Sequence, residues 1–104
     1  MIVSVNIPSG AARIVMPDRF DFTLNHKFTK SYTPLLNDTA IREIEIELSA
    51  VEFLDSSALD MLMLLKERAT ATNKSISLLN ISILISRVLE ITDLSGTFNV
   101  RHMA

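Results

Sequence analysis

Residues 43–48 read Glu-Ile-Glu-Ile-Glu-Leu. In an extended chain, a period of two puts Ile44, Ile46 and Leu48 on one side and Glu43, Glu45 and Glu47 on the other. The segment therefore predicts a β-strand, and it restricts what can surround that strand. A strand covered by helices on both faces reads as an apolar run. This one lines one side with carboxylates, so that side is expected to be wet. Helices are then expected to pack chiefly on the opposite face.

The flanking segments supply partners for it. Val3, Val5 and Ile7 alternate with Ser4 and Asn6, which predicts a half-buried strand over 2–7. Pro8-Ser9-Gly10 reads as a turn, and residues 12–16 as the second strand of a hairpin. Leu24, Phe28, Tyr32 and Leu35 share a helical face. Asp21 or Thr23 can cap that helix, and Pro34 is expected to end or kink it near Thr33. After Val51–Leu59 a helix of about 14 residues is expected to end near Thr72-Asn73, with Asp55, Ser56 and Ser57 as capping residue types. Ser75–Leu79 predicts a strand, Ser82 a cap for the next helix, and residues 97–100 a last strand.

The expected order is β-β-α-β-α-β-α-β. Strands alternating with helices imply an α/β fold with a mixed, mostly parallel sheet, opened here by an antiparallel hairpin. At 104 residues the chain is expected to be a single domain over 1–104. In such sheets, functional groups gather where strands end and helices begin.

Composition excludes several chemistries. The chain has no cysteine, which rules out disulfides, thiolate metal sites and cysteine nucleophiles. His26 and His102 are far apart in sequence and are expected at the surface, so no metal site is expected. With Gly10 and Gly96 as its only glycines, the chain contains no dinucleotide-binding fingerprint and no phosphate-binding loop. Ten basic against twelve acidic residues leave a net charge of −2, which is no nucleic-acid footprint. The alternating start is unlike a signal peptide, and no apolar run approaches the ~20 residues of a membrane span. A soluble cytoplasmic protein that does not insert into membranes is expected, with no cofactor.

Phe53-Leu54-Asp55-Ser56-Ser57-Ala58-Leu59 resembles the signature of STAS-domain proteins of the bacterial anti-sigma-factor antagonist family. Arg19-Phe20-Asp21 is similar to that family's early strand-to-helix corner. Ser82 to Leu94, ending in Ile91-Thr92-Asp93-Leu94, is similar to the helix that follows its fourth core strand. The resemblance spans nearly the whole chain in the family's order and implies the STAS fold.

It also implies a mechanism, partner switching, without catalysis by the protein itself. The unphosphorylated antagonist binds an anti-sigma factor that is also a serine kinase. Phosphorylation of one serine releases it, and a metal-dependent serine phosphatase restores binding. Kinase and phosphatase are separate proteins or parts of one multidomain regulator. The regulated process is transcription or, in several bacteria, biofilm formation. The phosphorylated serine maps to Ser56, with Ser57 as rival acceptor. Where many members carry glycine, this chain has Asp18, Ala58 and Asp93.

Physical reading of the motif agrees with that role. A helix start presents unpaired N–H groups and a partial positive charge, so it tolerates a phosphate. Asp-Ser-Ser is equally an ordinary helix cap, and Ser57 suits a hydroxyl-to-backbone bond at helix entry. Asp21 and Asp55 do not read as a catalytic carboxylate pair, because no His, Cys or Lys is recognisably placed beside them. Asp55 is expected to cap or to orient Ser56. The expected partner-facing residues are Asp21, Asp55, Ser56, Ser57, Met61 and Met63. Met61 and Met63 read either as core of a largely buried helix or as an adaptable apolar contact beside Ser56. An alternative is a STAS-like, non-catalytic subunit of a lipid-transporting ATPase, which needs no phosphorylatable serine. A nucleotide-sensing role is disfavoured by the missing glycine-rich loop.

Overall fold

A computed structural model describes residues 1–6 and 8–103; Ile7, expected in the first strand, lies outside the described residues. The elements in chain order are β1 (Ile2–Asn6), β2 (Ala11–Val15), β3 (Arg19–Phe20), α1 (Asn25–Leu36), β4 (Glu43–Glu47), β5 (Phe53–Leu54), α2 (Ser56–Ala71), β6 (Ser75–Ile81), α3 (Ile83–Ile91) and β7 (Asn99–His102). A 3₁₀ turn over Phe22–Leu24 leads into α1. The main sheet runs β1-β2-β4-β6-β7, antiparallel between β1 and β2 and parallel elsewhere. This is the mixed, mostly parallel α/β architecture that the alternation of strand and helix patterns implies.

Register explains the core. Ala12, Ile44 and Ile76 form one row across the three central strands, and Ile14, Ile46 and Leu78 form the next. All six are fully buried. Each large side chain so buried contributes roughly 1.5–3 kcal/mol. α1 packs over β2, and α2 and α3 over β6. From these helices Phe28, Tyr32, Leu62, Leu65, Ile85 and Leu89 complete the core. The opposite face carries the row Arg13, Glu45 and Ser77, with an Arg13–Glu45 ion pair at 3.2 Å.

The glutamate stripe is not uniformly wet. Glu43 and Glu45 are half-buried, whereas Glu47 is buried. Its carboxylate accepts from the Ser49 backbone N–H at 2.8 Å and from Asn80 Nδ2 at 2.6 Å. Asn80 sits in the left-handed region, within an irregularity of β6 between Leu78 and Ile81. That irregularity sets the Asn80 amide where it can answer the carboxylate, and strand periodicity carries no sign of it.

Other boundaries moved for local reasons. Helix α1 runs through Pro34 to Leu36, because Tyr32 and Leu35 anchor both sides of the proline in the core. Helix α2 stops where Asn73 turns left-handed, and Lys74 N–H closes back on the Ala69 carbonyl at 2.8 Å. Asp93 does the same after α3, with Leu94 N–H donating to Leu89 at 2.7 Å. The left-handed backbone there is the physical reason a glycine suits that position. The last strand begins at Asn99 because Phe98 is drawn into the core. Strand β1, expected to be half-buried, is exposed along its whole length because no helix covers that edge.

Burial raises the Glu47 pKa, but the Ser49 and Asn80 bonds outweigh it and leave the carboxyl below the usual glutamate range. A depressed folded pKa contributes stability above the unfolded value, about 4.3, that is lost as pH falls through the folded pKa. Glu47→Gln is therefore expected to flatten the acid limb of a stability-versus-pH curve below about pH 4.5. Glu47→Ala is expected to cost about 1–3 kcal/mol in urea melts at pH 7, by stranding its two donors.

Candidate functional site

The two corners singled out in the sequence meet in space. Beyond the sheet, the chain after β2 and the chain after β4 pair again as the parallel strands β3 and β5. Arg19 opposes Phe53 and Phe20 opposes Leu54. Glu52 and Phe53 N–H groups both donate to the Asp18 carbonyl, at 2.8 and 3.1 Å. Asp21 and Asp55 each follow directly on the paired residues Phe20 and Leu54. Strands of two residues have no readable period, so sequence patterning could not find this second sheet.

Asp55 ends β5 with extended backbone and caps α2, its Oδ1 accepting from Ala58 N–H at 3.0 Å. Because Asp55 fills that role, Ser56 stands as the first residue of α2 with its side chain exposed. Ser57 is half-buried and lines a shallow groove with Phe22, Asn25, Asp60, Met61 and Leu64. Ala58 is fully buried, which anchors the helix start against the core.

Asp21, expected to face a partner, is largely buried. It is 7% exposed and accepts from the backbone N–H of Thr23 at 3.0 Å and from the Thr23 hydroxyl. The Thr23 hydroxyl bond is the chief reason its pKa lies below the usual aspartate value, against the opposing effect of burial. Asp21 caps the 3₁₀ turn, not α1, whose start at Leu24 has no side-chain cap. The Arg19 guanidinium is 3.5 Å from Asp21 and lies 4.4 Å from the centre of the Phe53 ring. Sequence reasoning gave Arg19 no role of its own. Its register opposite Phe53, which makes the stacking, exists only once β3 and β5 pair.

The methionines divide. Met61 is 7% exposed and packs into the core, showing only an edge to the groove. Met63 is 44% exposed, on the helix stripe that runs Ser56, Asp60, Met63 and Glu67. Leu64, Phe22 and Phe53 are also exposed around the junction. The site is thus an exposed serine at a helix start, with Asp55 and Asp60 close along the chain and exposed apolar side chains on the neighbouring segments. Among the described residues no cluster of His, Asp and Glu is placed to hold a metal ion. No helix among them is long and apolar enough to cross a membrane.

The family model described as "Mlab, STAS domain" matches residues 3–101. This chain belongs to the STAS-domain family. A STAS-domain-containing protein of Pseudomonas aeruginosa strain UCBPP-PA14 is 33% identical over 87 residues, 84% of each chain. Among solved structures, the Planctomyces limnophilus anti-sigma-factor antagonist (STAS) domain protein superposes with a TM-score of 0.79 at 19% identity, covering 99% of this chain and 89% of that one. The Bacillus cell-fate determinant SpoIIAA in its phosphorylated form superposes with a TM-score of 0.73 at 15% identity, covering 95% and 88%. The STAS fold of this chain is thus the one these antagonists share.

The capping geometry separates the two residues of the motif. Asp55→Ala is expected to destabilise the protein by about 1 kcal/mol. Ser56→Ala is expected to stay within about 0.5 kcal/mol of the wild type. Urea denaturation of both variants measures this. An equal loss would mean that Ser56 is structural.

Proposed function

We propose that this protein is an anti-sigma-factor antagonist-like regulator that works by partner switching, through reversible phosphorylation of Ser56. The unphosphorylated form binds an anti-sigma factor that is also a serine kinase. A metal-dependent serine phosphatase reverses the modification. The protein acts in the cytoplasm by binding alone, without catalysis of its own, on transcription or on biofilm formation.

The observation that carries this reading is the division of labour at the junction. Asp55 holds the helix start, so the exposed Ser56 hydroxyl is not needed for the fold. A phosphate there adds about −1.5 to −2 charges at pH 7. The helix start tolerates it, so the domain stays folded. A partner surface fitted to a neutral serine, Phe53 and Met63 instead meets a dianion reinforced by Asp55 and Asp60. Each 1.4 kcal/mol of that mismatch weakens binding tenfold, so ~3–5 kcal/mol is enough for a switch. Ser57 is half-buried in the groove wall and is the less accessible acceptor.

The test is the intact mass of the protein from its native cells, wild type beside Ser56→Ala. A species heavier by one phosphate is expected in the wild type and not in the variant. Ser56→Ala is expected to retain the kinase partner in pull-downs, and Ser56→Asp to weaken it at least a hundredfold. If no phosphate appears under any growth condition and both variants bind alike, the switch is wrong. Constitutive binding of that kind would instead support a non-catalytic subunit of a transport ATPase.

A further inference from the structure

Strand β1 is an outer strand, hydrogen-bonded only to β2. Its far side presents unpaired backbone N–H and C=O groups. Proteins that remain monomeric ordinarily block such an edge with a lysine, a proline, a bulge or a covering loop. Ile2-Val3-Ser4-Val5-Asn6 has no charge and no proline, and it pairs with β2 in unbroken register. All five residues are exposed, so nothing among the described residues covers it. The opposite edge differs. There β7 carries Arg101 and His102, and its register against β6 is broken.

The apolar side chains of β1 continue the core. Val3 opposes Ile14 and Val5 opposes Ala12, both fully buried on the helix-covered face. Val3 and Val5 remain 40% and 46% exposed, and Ile2 68%. The core face thus runs one strand past its cover.

We propose that β1 is the interface of a homodimer, in which two copies pair β1 to β1, antiparallel, about a two-fold axis at Ser4. In that register Val3 faces Val5 of the second copy, Ser4 faces Ser4, and Ile2 faces Asn6. Each residue meets one of the same parity. Outward backbone groups alternate along a strand, so whichever parity points outward meets its match. The valines of both copies join on the helix side, and β1 brings no charge into the contact. A two-fold interface requires such a self-complementary patch. Pairing β1 with β7 of another copy would set this neutral strand against Arg101 and His102 and would not close. The dimer does not involve Ser56 and stands or falls independently of the switch.

Sedimentation equilibrium of the full chain, from micromolar to submillimolar, tests it. Twice the monomer mass is expected for the wild type. Val3→Lys and Val5→Lys are expected to sediment as monomers with unchanged circular dichroism and a melting temperature that no longer depends on concentration. Because the chain has no cysteine, a single introduced thiol reads the register directly. Facing Cα atoms of ~4.5–5.5 Å in an antiparallel pair lie within disulfide reach. Ser4→Cys is therefore expected to oxidise to a covalent dimer, and Ile2→Cys, which faces Asn6, is not. A wild type that stays monomeric throughout, polymers of growing mass, or a dimer untouched by both lysine variants would each overturn the proposal.

Discussion

The structure depends on burying one face of β4 between β2 and β6. Ile44 and Ile46 sit in rows completed by Ala12, Ile14, Ile76 and Leu78, and none of the six reaches solvent. Side chains alternate along a strand, so committing one face of β4 to helices commits the other to the open side. A one-residue slip would drive Glu45 into the core and expel Ile46. The alternation therefore fixes the register of the strand, its neighbours' register, and the face on which α1, α2 and α3 lie.

The site follows from where those parallel strands stop. β2 and β4 end side by side, and their continuations remain adjacent long enough to pair once more as β3 and β5. That short pairing brings the Arg19-Phe20-Asp21 corner against the Phe53-Leu54-Asp55 corner. The two aspartates then do parallel work, each capping the turn or helix that follows it. With the backbone held by carboxylates, the hydroxyl of Ser56 is left outside the framework. Phe53, just before it in the chain, and Met63, further along the same helix face, are also left exposed.

Much of this was legible from residues 43–48, the helical spacings and the Asp-Ser-Ser motif. The order of the main elements, the mostly parallel sheet and a helix start within residues 55–57 follow from local patterns repeated over several residues. What was not legible involved short or non-periodic features. The β3–β5 pair is two residues deep. The burial of Glu47 depends on an Asn80 amide supplied by another strand. Asp21 and Met61, expected to face a partner, are buried because the packing of the 3₁₀ turn and of α2 turns them inward.

The sequence by itself determined the alternation that makes β4 two-faced, the spacing that gives α1 its apolar face, and a run of capping residue types at Asp55, Ser56 and Ser57. These are properties of neighbours along the chain, governed by periods of two and 3.6 residues. Only the tertiary structure decided that Arg19 stacks on Phe53, that Glu47 finds Asn80, that Met63 is exposed while Met61 is not, and that β1 is left uncovered at an edge. Those outcomes depend on which segments, distant in sequence, come to lie side by side. They arise from register and coverage, which no single segment encodes.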